Sequence, residues 1–246
     1  MAFDLIAFDA DDTLWHNERS YRDGRERFAR LLAAAGVTLD ADGLEERVNR
    51  AELANLPFYG YGVASFALTL IETAIDLTDG RIAGVHLLEI VDLAKQMLTE
   101  EVELFPDVSD VLCRLSVEYP LMLITKGDLL HQTSKVTRSG LRERFRHVEV
   151  VSDKTPKVYS AILERHGVDP RRFLMVGNSL RSDILPVVEL GGWAVHVPAA
   201  LSWSHEHVDE VPEEIKRRYI EAAALSELPG IVERITRLHD DQRRAR

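Results

Sequence analysis

Three carboxylates, Asp9, Asp11 and Asp12, and then Thr13, stand directly after the apolar run Leu5-Ile6-Ala7-Phe8. Like charges crowded at the end of a buried strand raise one another's pKa and repel, so the arrangement asks for a cation or another compensating group. In Asp-x-Asp-x-Thr an extended segment would turn Asp9, Asp11 and Thr13 to one side, converging on a point suited to a cation or a phosphate. Asp12 falls outside that set and reads as a loop residue. Three more polar groups could join such a point: Thr125-Lys126-Gly127, Lys154 ahead of Thr155-Pro156, and Asn178-Ser179 with Asp183 four residues further on.

The elements that must position these groups follow from hydrophobic periodicity. Short apolar runs at 5–8, 121–124, 148–151, 173–176 and 193–197 read as buried strands, and 219–225 as an edge strand. Helical patterns separate them from residue 108 onward, including one opened by the Thr155-Pro156 cap and closed at Gly167. Between the first and second strands the pattern is helical throughout. Phe28, Leu31, Leu32 and Ala35 mark one helix; Leu44, Val48 and Ala51 a shorter one; Val63, Phe66, Leu70 and Ala74 a third; Leu87, Val91, Ala94 and Leu98 a fourth. Strands alternating with helices imply a doubly wound, mostly parallel sheet with helices on both faces. Residues 1–14 and 104–246 form this core, and residues 15–103 a helical insertion. Such sheets bind ligands at the carboxyl ends of their strands, near the point where strand order reverses, and Asp9, Thr125 and Asn178 all follow a strand's carboxyl end.

Composition narrows the function classes. Of the 246 residues 30 are basic and 41 acidic, a net charge of −11 that argues against generic nucleic-acid binding. The single cysteine, Cys113, excludes an internal disulfide framework and makes a reducing cytoplasm the expectation. No secretory leader pattern and no apolar run of membrane-spanning length is found.

Taken together, Asp9-Ala10-Asp11-Asp12-Thr13, Thr125-Lys126-Gly127, Lys154 and Gly177-Asn178-Ser179-Leu180-Arg181-Ser182-Asp183 resemble the four motifs of the haloacid dehalogenase superfamily. The match is to its magnesium-dependent phosphatases, which carry a helical cap after the first strand on a Rossmann-like core. The resemblance implies a phosphomonoester hydrolase acting on a small phosphorylated metabolite. Asp9 is then the nucleophile that forms an aspartyl-phosphate, ionised at neutral pH and in no need of a base. Asp11 is the general acid and base, with a pKa expected to be raised by its carboxylate neighbours. Thr13 orients Asp11 or holds the loop. Thr125, Lys126, Gly127 and Ser179 bind the phosphate, and Lys154 supplies a compact positive charge beside it, with Lys157 the competing lysine. Mg²⁺ is held by Asp9, Asp11 through its carbonyl, Asn178 and Asp183. Asn178 stands where many members carry aspartate, which removes one negative charge from the metal site.

Rival readings share these motifs: a 2-haloacid dehalogenase, disfavoured by the carboxylate at Asp11, a phosphomutase, or a non-catalytic phospho-receiver. His205 and His207 lack companion metal ligands and read as a solvated loop, Arg171-Arg172 as an exposed turn, and the arginine-rich end (Arg243, Arg244, Arg246) as a frayed tail. The stretch Leu56-Pro57-Phe58-Tyr59-Gly60-Tyr61-Gly62 reads as a glycine-hinged segment whose aromatics either pack the insertion against the core or select the leaving group. The sequence leaves the oligomeric state open.

Overall fold

The computed structural model describes residues 2–37, 40–201, 203–206, 208 and 213–244. Their contacts divide into two compact units: Met1–Glu18 with Val102–Lys126 and Gln132–Arg246, and Arg19–Glu101 with Gly127–His131.

The first unit is built on a sheet of β1 (Leu5–Phe8), β2 (Leu121–Lys126), β3 (His147–Val151), β4 (Phe173–Gly177), β5 (Trp193–His196) and β6 (Tyr219–Glu221). The strand order is β3-β2-β1-β4-β5-β6 and each pairing is parallel. The central strands read as unbroken apolar runs because both faces are covered, and alternate residues divide between the two. Ile6, Phe8, Leu121, Leu123, Leu174 and Val176 share a core with α5 (Val108–Ser116) and α9 (Leu228–Arg244). Leu5, Ala7, Met122, Ile124, Phe173 and Met175 pack with α7 (Pro156–His166) and α8 (Leu185–Glu189). The α7 cap forms as its sequence requires: Thr155 Oγ1 accepts from Val158 N, Pro156 opens the first turn, and Gly167 ends the helix at φ 65°. Strand order reverses between β1 and β4, so the loops after these two strands flank the switch point.

The second unit contains α1 (Glu18–Ala34), α2 (Ala41–Tyr59), α3 (Val63–Leu77) and α4 (Gly84–Thr99) around Phe28, Leu32, Val48, Phe66, Leu70 and Ile90. Two expectations need correction. The buried stripe of α4 is Ile90, Leu93 and Met97, while Val91 and Leu98 are exposed. Two apolar stripes wind round this helix, and periodicity alone did not choose between them. Helix α2 runs longer than expected, and Pro57, Phe58 and Tyr59 lie inside it, not in a hinge.

The predicted edge strand is present but short, ending at Glu221. Arg243 and Arg244 belong to α9, not to a tail; His207 and Arg246 lie outside the described residues. No described helix is long and apolar enough to cross a membrane.

Candidate active site at the switch point

The chain does not stay extended after β1. Ala10 O accepts from Leu14 N at 2.8 Å and Asp12 N donates to Trp15 O at 2.8 Å, closing a tight turn. Asp12 occupies the left-handed region at φ 59°, which aspartate tolerates better than most residues. Its carboxylate accepts from Asn17 N (2.9 Å) and Glu18 N (3.1 Å), so this loop residue caps the start of α1. Burial pushes its carboxyl up to about 6 despite those backbone donors.

The turn changes which groups converge. Thr13 Oγ1 donates to Asp9 Oδ2 at 2.8 Å, so Thr13 orients Asp9 and not Asp11. The Asn178 amide is assigned from its surroundings. With its nitrogen toward the turn it donates to Asp9 Oδ2, Thr13 Oγ1 and the main-chain oxygen of Asp11, each at 3.2 Å. The Asp11 carboxylate faces elsewhere. Trp15 Nε1 donates to its Oδ1 at 2.6 Å, Gln132 Nε2 to its Oδ2 at 2.8 Å, and Lys135 forms a close ion pair with it. Gln132 and Lys135 are buried polar residues three apart on one face of α6 (Leu129–Arg138). The expected rise in the Asp11 pKa is therefore reversed. Burial alone would push it up, but the Lys135 charge and hydrogen bond, with those of Gln132 and Trp15, outweigh burial and hold it below the usual carboxylate value.

Lys154 links the other two carboxylates. Its Nζ donates to Asp9 Oδ1 and to Asp183 Oδ1, both at 2.6 Å. The side chains are 2%, 9% and 1% exposed for Lys154, Asp9 and Asp183. Lys157 is exposed on α7, so Lys154 is the lysine beside Asp9. Burial pushes the Asp9 carboxyl up to about 7; Lys154 opposes the shift and Asp183 adds to it. Burial would lower the Lys154 pKa, but Asp183 and Asp9 together hold it well above the ordinary lysine value.

Asp183 reaches this position because residue 177 is glycine. A Cβ there would lie 2.2 Å from Asp183 Oδ2, closer than side-chain atoms pack. Asp183 Oδ2 also accepts from Ser179 N at 3.1 Å. Thr125 is 1% exposed at the end of β2 and its hydroxyl accepts from Gln132 Nε2 at 3.1 Å. Asp128 caps α6, accepting from His131 N at 2.8 Å. Gly127 follows Lys126 at φ 139°, a conformation side-chain-bearing residues rarely adopt.

The donor set suits a hard cation: two carboxylates, an amide and a main-chain carbonyl, all able to offer oxygen. Among the described residues no three His, Cys, Asp or Glu side chains are arranged to hold a metal. Two of the donors here are an amide and a backbone oxygen, and the Lys154 ammonium lies between the two carboxylates. The Asn178 amide can present its oxygen to a cation by rotating half a turn.

Sequence reasoning missed Trp15, Gln132, Lys135, Ser182 and Glu206. Glu206 lies between the two histidines of 203–207, and it is this residue that reaches the site, pairing with Lys126 and accepting from Ser182 Oγ at 2.6 Å. The available signals were the Gln132/Lys135 spacing on a helix that follows the Thr125 cluster, and the lone acid of Ser-His-Glu-His.

Comparison with known proteins gives the family. Residues 3–191 match the haloacid dehalogenase-like hydrolase family. A haloacid dehalogenase-like family hydrolase from Xanthomonas campestris is 35% identical, covering 98% of this chain and 95% of its own, with a TM-score of 0.86. The glyceraldehyde 3-phosphate phosphatase of Methanopyrus kandleri is 26% identical over 73% of this chain and 77% of its own length. That of Pyrococcus abyssi is 35% identical over 35% of this chain and 39% of its own. The chain therefore belongs to the haloacid dehalogenase-like hydrolases and is an enzyme of the phosphatase kind.

Proposed function

We propose that this enzyme hydrolyses a small phosphomonoester through an aspartyl-phosphate on Asp9. The observation that carries the reading is the buried triplet Asp9–Lys154–Asp183, with Thr13 fixing the second oxygen of Asp9. An oxygen of Asp9 attacks phosphorus as the bond to the leaving oxygen breaks. Water then attacks the phosphorus of the aspartyl-phosphate and releases phosphate. Lys154 and the donors of Thr125, Lys126 and Gly127 hold the transferring group; the expected Ser179 donors are both engaged, its N–H by Asp183 and its hydroxyl by Glu206. Asp9, the Asp11 carbonyl, Asn178 and Asp183 would hold Mg²⁺, which would supply the positive charge that lets an anionic nucleophile meet an anionic ester. With Lys135 holding it ionised, Asp11 is ready to take the proton of the hydrolytic water. Before it can protonate a leaving group it must give up the Lys135 and Trp15 bonds and acquire a proton.

The named activity of the curated relatives points to triose phosphates as the first substrates to try. The helical segment 15–103 is proposed as the family's cap, and the cytoplasm as the setting. A panel of phosphate esters with and without Mg²⁺ tests the whole. Turnover should vanish with EDTA and in Asp9→Asn. Because Asp9 protonates near pH 7, Mg²⁺ affinity by calorimetry should weaken about tenfold for each pH unit below that value. Metal-independent halide release from 2-haloacids, without phosphate release, would overturn the reading.

A further inference from the structure

Lys126 is expected to serve the phosphate through its backbone N–H, yet its side chain carries a separate arrangement. Lys126 Nζ donates to Ser182 Oγ at 3.0 Å and pairs with the Glu206 carboxylate. Glu206 Oε2 accepts from Ser182 Oγ at 2.6 Å and from Ser179 Oγ. The two charged side chains are each 15% exposed. Burial would raise the Glu206 carboxyl, but Lys126 and the two serine hydroxyls hold it down at about 2, so it stays ionised. Glu206 sits in the turn Ser204–Glu206, which is tied a second time by Arg181 Nη1 donating to His205 O at 3.1 Å. Lys126, Ser179 and Ser182 are the immediate chain neighbours of Thr125, Asn178 and Asp183. The pair therefore borders the phosphate-binding loops without belonging to the nucleophile's own network.

Every lysine described at this site is matched to an acid: Lys154 to Asp9 and Asp183, Lys135 to Asp11, and Lys126 to Glu206. A substrate carboxylate arriving here would have to compete for Lys126 with one that is already tethered. A tethered group acts at an effective concentration of about millimolar or above. It would also leave a second carboxylate close by with no cation of its own, which costs far more than leaving both in water.

We infer that Glu206 is a specificity-determining residue: by neutralising Lys126 it selects phosphomonoesters whose remaining part is uncharged over those that also carry a carboxylate. The inference rests on the phosphatase reading above and deepens it. Without Glu206, Lys126 becomes a docking point for a second anion, so removing its charge should confer a preference and not merely abolish one.

Two phosphonates that cannot be hydrolysed test this by calorimetry in Mg²⁺: methylphosphonate, and phosphonoacetate, which adds a carboxylate. The wild-type protein should bind methylphosphonate at least as tightly. Glu206→Gln should shift the affinity ratio toward phosphonoacetate by about tenfold, the worth of one charge-assisted hydrogen bond. Adding Lys126→Met to that variant should cancel the shift. Should Glu206→Gln fail to fold, Glu206→Asp, which withdraws the carboxylate by one methylene, should shift the ratio in the same direction by less. An unchanged ratio, or a shift that survives Lys126→Met, overturns the inference while leaving the phosphatase reading intact. A wild-type protein that binds neither phosphonate and hydrolyses no ester overturns both.

Discussion

Replacing Lys154 with methionine keeps most of the side chain's length and removes its charge and its N–H donors. The ammonium lies 2.6 Å from one oxygen each of Asp9 and Asp183, and the three side chains are 2%, 9% and 1% exposed. Taking one partner out of a buried ion pair costs about 3–5 kcal/mol, because the charge left behind is neither hydrated nor paired. For a protein of this size each kcal/mol shifts the melting temperature by about 2–4 °C, so a fall of roughly 6–20 °C is expected. The loss depends on pH, and its sign follows from Asp9. Its carboxyl titrates near 7 in the folded protein against an ordinary value of 3.8, so between these values the folded chain holds a proton that the unfolded chain has released. The stability from that proton is full below the ordinary value and is lost as pH rises through 7. Without Lys154, which holds the Asp9 value down, the folded carboxyl titrates higher still. Thermal unfolding of wild type and Lys154→Met in EDTA should therefore show a large deficit at pH 8 and a smaller one at pH 6. A deficit below about 2 °C, or one equal at both pH values, would refute the view that Lys154 compensates two buried carboxylates.

Lys135→Met should raise the Asp11 pKa, since the residue it removes is the main group opposing burial; carboxyl-carbon NMR titration of labelled protein reads this directly, and an unmoved Asp11 signal would show that Gln132 and Trp15 suffice. Gly177→Ala would place a methyl group 2.2 Å from Asp183 Oδ2 and should cost about 3 kcal/mol or more by chemical denaturation, with Asp183 displaced.

The core was legible because its strands are buried on both faces. Leu5–Phe8, Leu121–Ile124 and Phe173–Val176 are apolar without interruption, and no helix of that length competes for the pattern. Helix α4 was harder, since Leu87-Leu88 and Ile90-Val91 offer two stripes and only the tertiary contacts of Ile90, Leu93 and Met97 decide between them. The segment 56–62 misled in another way: it reads as glycine-hinged, yet Pro57, Phe58 and Tyr59 continue α2 and the helix ends only at Gly60. At the site, motif spacing located Asp9, Thr125, Lys154, Asn178 and Asp183, which meet or adjoin one another in the structure. Side-chain direction was not legible. Alternation assumed an extended loop, and the turn closed by Ala10 O sends the Asp11 carboxylate to Lys135 instead of to Asp9. Partners supplied by α6 and by the 204–206 turn carry no motif of their own, so only folding reveals them.

The placement of β1 at the middle of the sheet has a consequence for how the protein comes into being. Its register with β4 is pinned at one end by Arg172, whose guanidinium grips Asp4 from 168 positions further along the chain. At a synthesis rate of about 5–20 residues per second, that interval leaves β1 without its central neighbour for roughly 8–35 seconds. Until β2 and then β4 emerge, Leu-Ile-Ala-Phe is a short, sticky segment without its sheet partners. The acids that follow it are then charged gatekeepers against misdirected strand pairing. The carboxylates that crowd the folded site thus serve first as a solubilising flank, and neutralising them should show up as aggregation during expression before it shows up as lost chemistry.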